Sequence, residues 1–315
     1  MTNTMTIEYC SLISKKLAEP LSGTASQAQH LIFITWPKRF WKYEALVSGG
    51  GFPQGLKRWM KSQSVEHGKI VLRLISQPGM TAECCSLHVY PDGLVYEDIA
   101  PDQLKTVLED HFAGKGQQHS PRVQEIPEVM VCTHGRHDKC CAKFGQALYA
   151  QFQRGIENRG LSLNLWQSSH LGGHRFAPTL VHLPSGEAHG HVTSEQVPAL
   201  LDAWTQQRVH PKTYRGNVFR MDAEQLAEAW LHHAVSNSGT ILESRLESLE
   251  ENGSQRQFTV AYRTAEQPEM FQHLELVLHH KTVAGPGGCD ALDEPEERSG
   301  WVLTKSRQLN APLWA

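Results

Sequence analysis

The sequence has no apolar run that approaches the ~20 residues a membrane-spanning helix needs. Its best stretches are LIFI at 31–34 and IVLRLI at 70–75, the second broken by Arg73. Basic charge is not in excess either: 30 Lys and Arg stand against 33 Asp and Glu, a formal net charge of -3. A nucleic-acid binder shows the opposite balance, so that class drops out together with membrane proteins. The N-terminal ~30 residues carry no basic start followed by an apolar stretch and a small-residue cleavage site, so no export signal is expected. Seven cysteines, an odd number, argue against a disulfide framework. What remains is an ordinary globular chain with 40% apolar and 20% charged residues, expected in the cytoplasm. At ~150 residues per domain its length suggests about two domains.

Hydrophobic patterning divides the chain into three segments. Residues 1–118 read as an α/β region. Short strands fit 70–75, 86–90 and 94–96, with a Pro91-Asp92-Gly93 turn, and a helix fits 102–111. Residues 119–212 are the clearest segment. A brief buried-type strand at 129–131 runs into Cys132. A helix fits 142–157, where Phe144, Leu148, Phe152 and Ile156 share a face. Leu161, Leu163 and Leu165 alternate as a strand would, and 178–183 reads as another. Thr193 with Gln196 forms a capping-box pattern before a helical stripe of Val197, Leu200, Leu201 and Trp204. This strand–helix–strand–strand order, with cysteines between a strand end and a helix start, suits a thioredoxin-like domain. Residues 213–315 read as α+β. Asp222 is expected to cap a helix. Phe258, Val260 and Tyr262 should pair antiparallel with Leu274, Leu276 and Leu278, and the acidic stretch 290–297 should be a loop. The fold class is therefore α/β: a thioredoxin-like domain between an N-terminal α/β and a C-terminal α+β region.

The chemistry concentrates in two stretches of the middle segment. VCTHGRHDKCC at 131–141 places eight residues between Cys132 and Cys141. That loop can wrap a bound group, whereas a CxxC redox pair needs only two intervening residues so that its sulfurs meet. Cys140 offers the alternative thiolate, at a spacing of seven. SSHLGGHRFA at 168–177 places His170 and His174 four apart. On a helix they would share a face, as in HExxH zinc sites. Gly172 and Gly173 lie between them, and each disfavours helix by about 1 kcal/mol, so a tight loop is expected. Two thiolates and two imidazoles make four ligands. Tetrahedral zinc accepts such a set, and so does a [2Fe–2S] cluster with two thiolates on one iron and two histidines on the other. Cys132-Thr133-His134 copies the first half of a Rieske motif, but the second half, C-x-x-H, is absent. His134 and His137 are further candidate ligands on the same loop. His134, Arg136 and Arg175 flank the candidates as surrounding groups. Cys84 and Cys85 should face opposite sides of a strand as separate thiols. His189 and His191 alternate and are expected on a solvated face.

These two stretches resemble the sucrase/ferredoxin-like family of thioredoxin-like ferredoxins. The resemblance extends to Cys10-Ser11, EPLSGTA at 19–25, Trp36-Pro37, Pro184-Ser185-Gly186 and Tyr214-Arg215-Gly216, in the same order. It implies a [2Fe–2S] cluster held by a C-x8-C pair and an H-x3-H pair, which here are Cys132, Cys141, His170 and His174. The chain departs from the family pattern in having Cys140 directly before Cys141. The family label implies no sugar hydrolysis, and spacing alone marks no carboxylate pair as a glycosidase site.

Three functions compete on these residues. The first is a [2Fe–2S] electron carrier that exchanges single electrons, with proton coupling, with redox protein partners the sequence does not name, and that need not transform a substrate. The second is an enzyme, a thiol-disulfide oxidoreductase on the same scaffold using Cys132 with Cys140 or Cys141. The third is a structural-zinc binding module.

Overall fold

The structure, a computed structural model, describes residues 9–235 and 240–309. The chain forms two compact units: residues 26–186, and residues 1–25 with 187–315. A short helix, α1 (Cys10–Lys16), comes first. The unit 26–186 then contains β1 (His30–Thr35), α2 (Leu56–His67), β2 (Ile70–Ser76), β3 (Cys85–Tyr90), β4 (Leu94–Ile99), α3 (Leu104–Phe112) and β5 (Arg122–Val123). It continues with β6 (Glu128–Cys132), α4 (Lys139–Arg159), β7 (Asn164–Ser168) and β8 (Leu180–Leu183).

Its strands form one mixed sheet in the order β8-β6-β7-β2-β1-β3-β4-β5. Two pairs, β1 with β2 and β6 with β7, are parallel. One face is lined by Ile32, Ile34, Leu72, Leu74, Leu87 and Val89, and α2 and α3 cover it with Leu56, Trp59, Leu104, Val107 and Leu108. Because β4 and β5 pair with each other, strands on both sides of residue 118 share the sheet.

The order β6–α4–β7–β8 is the one read from the sequence, and it makes the chain a mixed α/β protein. Strand β6 is buried at every residue, between parallel β7 and antiparallel β8, as suits a continuous apolar run rather than an alternating one. Its one charged residue, Glu128, accepts hydrogen bonds from Tyr90 Oη at 2.6 Å and Trp166 Nε1 at 2.9 Å, and pairs with His88 Nδ1 at 2.9 Å. Burial works against its carboxylate, yet these three partners hold it below the usual carboxylate range.

Two boundaries differ from expectation. Helix α4 starts at Lys139, three residues before the expected start at 142, because Asp138 caps it. Strand β7 starts only at Asn164, so of the alternating leucines Leu165 alone lies in it. Cys84 and Cys85 do separate, exposed and buried respectively.

The second unit contains α1, β9 (Glu187–His189), α5 (Val197–Thr205), β10 (Tyr214–Asn217), α6 (Asp222–Ala234), β11 (Ile241–Asn252), β12 (Gln255–Thr264), β13 (Gln267–Pro286) and β14 (Pro295–Leu309). The Thr193–Gln196 capping box is present with both of its bonds. Strands β11 to β14 form an antiparallel sheet in chain order. Phe258 pairs with Leu276 and Val260 with Leu274, as the alternation required, and α6 packs Leu226 and Leu231 on that apolar face. Three expectations are corrected here. Met221, not Asp222, stands at the N-cap of α6. The acidic stretch enters β14 at Pro295, because the long ladder with β13 extends over it. His189 is fully buried rather than solvated, bonded to Thr213 Oγ1 at 2.9 Å. Among the described residues no helix is long and apolar enough to cross a membrane.

Candidate metal centre

Cys132 is the last residue of β6, beside Ser168 at the end of β7. Two fixed strand ends thus deliver Cys132 and, two residues beyond Ser168, His170 to one place. The chain returns through 133–138 to the start of α4, where Asp138 Oδ1 accepts the Cys140 N–H at 2.7 Å. This cap sets Cys140 and Cys141 in the first helical turn, where unpaired N–H groups and the helix dipole favour a thiolate. Helix and strand approach so closely that a Cβ at Gly145 would lie 2.0 Å from the Cys132 carbonyl oxygen.

The ligand atoms of Cys132, Cys141 and His170 lie within 4.8 Å of one another. Both sulfurs are buried, while His170 is partly exposed. Hydrogen bonds from Cys141 and from His170 hold the Cys132 thiol well below its ordinary value, and Cys141, donating beside that charge, is pushed up. His170 Nδ1 is buried and has no hydrogen-bond partner. Cys140 is buried too, but it stands with the Asp138 carboxylate rather than in this sulfur–imidazole group.

His174 lies outside the tight group. Its ring centroid is 5.7 Å from that of His170, and its Nδ1 is 3.3 Å from Asp138 Oδ2. As expected, no helix joins the two histidines: Gly172 and Gly173 both have positive φ, at 88° and 70°. A Cβ on Gly172 would come within 2.0 Å of Ser26 Oγ, so this turn requires glycine twice over.

The flanking residues sort by contact. His134 Nε2 is 2.8 Å from the Lys42 carbonyl, and its Nδ1 accepts the His170 N–H at 3.3 Å. That pattern requires the neutral Nε2–H tautomer, consistent with burial lowering its pKa. Arg136 is exposed and donates to the Trp41 carbonyl; Arg175 lies 4.6 Å over the Phe176 ring. His137 is more intimate than its neighbours. Its ring stacks on His170 at 3.7 Å and on the exposed Tyr43 at 4.9 Å. Burial and the nearby His170, His134 and His174 lower it to about 4.

Two cations that no motif marked also face the site. Lys38 Nζ donates to Thr133 Oγ1 at 2.8 Å and to Gln167 Oε1 at 2.7 Å. Burial lowers Lys38 to about 8 and Arg73 to about 10, and the charge that opposes the fall in each is Cys132. Lys38 belongs to KRFWK at 38–42, and only the fold reveals its inward role.

Residues 21–216 match the family described as sucrase/ferredoxin-like. The chain belongs to that family. Two curated relatives, both "Altered inheritance of mitochondria protein 32", are similar over a shorter stretch. The protein from Debaryomyces hansenii is 30% identical over 96 residues, 29% of this chain and 35% of the relative. That from Meyerozyma guilliermondii is 33% identical over 96 residues, 29% of this chain and 34% of the relative. The match thus spans about a third of the length of these relatives. Among solved structures, a thioredoxin-like [2Fe–2S] ferredoxin from Aquifex aeolicus aligns with 31% of this chain and 97% of its own, at 16% identity and a TM-score of 0.28.

Proposed function

We propose that this protein is an electron carrier that holds one [2Fe–2S] cluster on Cys132, Cys141, His170 and His174. The observation that carries this reading is the convergence of two buried sulfurs and an imidazole nitrogen within 4.8 Å of one another. The donor set fits the group: soft thiolates at a strand end and a helix N-terminus, and imidazoles on the more open side. Cys141 is the second thiolate, since it and not Cys140 faces Cys132 and His170.

The cluster, when bound, accepts and releases one electron. The chain's own residues do the rest. Asp138 Oδ2 takes the Nδ1–H of His174 and leaves Nε2 as the donor atom. His134 holds the backbone at His170 in place through its Nδ1. His137 stacks on one face of the His170 ring and fixes its plane. Each imidazole keeps a second nitrogen, which would give electron exchange at the bound cluster a group to couple to a proton. The proposed setting is the cytoplasm, and the proposed partners are redox proteins.

The test is an absorption spectrum of freshly purified protein, with iron, acid-labile sulfide and zinc assayed on the same sample. A red-brown protein with iron and sulfide in the cluster's two-to-two ratio per chain is expected. A colourless protein with stoichiometric zinc would overturn the reading in favour of a structural site. One observation favours a second reading: the Cys132–Cys141 hydrogen bond also suits thiol–disulfide exchange. That reading predicts metal-free protein that reduces a model disulfide, with the rate lost in Cys132→Ser.

A further inference from the structure

Lys38 and Arg73 are cations without anions of the ordinary kind. Neither makes an ion pair with a carboxylate among the described residues, although surface arginines and lysines elsewhere do, such as Arg122 with Glu97 and Lys57 with Glu44. Arg73 sits in the middle of β2, paired with Phe33 of β1. Its Nη1 donates to the Leu72 carbonyl at 3.0 Å, and its Nε is shut off from solvent with no partner. Lys38 is partly buried and spends its Nζ on two neutral oxygens, one from the residue after Cys132 and one from the strand beside it. Shielding a charge from water is costly unless an opposite charge repays it. The register brings both cations to one place: Cys132 pairs with Ser168 and Ser168 with Ile75, so Arg73, two residues before Ile75 on β2, lies on the same face of the sheet as Cys132, while Lys38 holds the residue after Cys132.

We propose that Lys38 and Arg73 are the built-in counter-charges of the metal centre and that they raise its reduction potential. The proposal rests on reading the site as a [2Fe–2S] centre. The charge balance is simple. Two thiolates cancel the two positive charges of an oxidised core, and the imidazoles are neutral. One electron, supplied by an external reductant such as dithionite, leaves the site with one net negative charge. Fixed cations in a poorly solvated place stabilise that charged state over the neutral one. The exposed Arg136 cannot do this as well, because solvent screens it. Lys38 and Arg73 are positioning charges: each acts on the centre through the field at Cys132, without being a ligand.

The experiment is a spectroelectrochemical titration of the cluster-loaded full chain, as wild type, Lys38→Met, Arg73→Met and the double variant. Iron, sulfide and spectrum of the wild type are taken first. A wild type that takes up no cluster overturns the functional reading, and the proposal with it, before any variant is compared. With the cluster present, each Met variant should keep the visible spectrum and lower the reduction equilibrium constant about tenfold, which is about 59 mV for one electron. The double variant should fall further, and Lys38→Arg should keep the wild-type potential. An unchanged or raised potential in Lys38→Met and Arg73→Met, with intact spectra, overturns the proposal alone. Should Arg73→Met fail to fold, Lys38→Met against Lys38→Arg decides the matter, since Lys38 lies outside the strands.

Discussion

Asp138 serves two partners with two oxygens. One caps α4 through Cys140 N–H and the other faces His174 Nδ1. Two substitutions separate the roles. Asp138→Asn keeps a good cap and loses the charge on His174, so folding stability should hold while the metal is retained about 10–100-fold less tightly. Asp138→Ala should lose the cap as well, about 1 kcal/mol in a urea titration. Equal metal retention in wild type and Asp138→Asn would remove Asp138 from the site. A second residue-scale test replaces a ligand: His170→Cys or His174→Cys should lower the potential by on the order of 100 mV or more and weaken its pH dependence, as added thiolate charge does between Rieske and plant-type centres. At this scale the candidate ligands were legible because cysteines and histidines gather in two short stretches at ligand-like spacings. Asp138, Lys38 and Arg73 were not, for common charged residues carry no signal until the fold brings them home. Lys38 meets Thr133 across 95 positions of sequence.

At the scale of elements, the join between β6 and α4 leaves no room for a side chain at Gly145. Gly145 faces the carbonyl of Cys132, and backbone cannot retreat as a flexible side chain can. Gly145→Ala gains helix propensity, worth about 1 kcal/mol. It should nevertheless destabilise the protein by about 1–3 kcal/mol in chemical denaturation, because overpacking here moves backbone. A stabilised variant would show that helix and strand can part freely. Periodicity gave the existence of α4, β6 and β8, and it gave the pairing of β12 with β13 through matched apolar faces. It missed where α4 and β7 begin, since those limits are set by a cap and by hydrogen bonds to neighbouring strands.

The whole molecule feels buried titratable groups through its pH dependence. Glu228 on α6 is raised to about 7 by burial, with Arg220 only partly offsetting it. A carboxyl whose folded value lies above its unfolded value of 4.5 favours the folded state below that pH, and the advantage is lost as pH rises through 7. Glu228→Gln should therefore melt like wild type near pH 4.5 and be more stable at pH 8, by at most on the order of 3 kcal/mol. Thermal melts at both pH values check this, and equal shifts at both would sink it. Global topology was the least legible level. Local pattern names strands but not neighbours, and the sheet order β8-β6-β7-β2-β1-β3-β4-β5 joins elements far apart in sequence.

That order gives Glu128 a meaning beyond its hydrogen bonds. A strand apolar on both faces can slide by one residue with little loss of burial, since Val, Met and Val exchange places almost evenly. Such a slip would turn Cys132 to the other side of the sheet and still leave a well-packed protein. Glu128 forbids it, because a displaced carboxylate would abandon Tyr90, His88 and Trp166 in a dry interior. The polar residue at one end of β6 is thus a registration mark for the sulfur at the other.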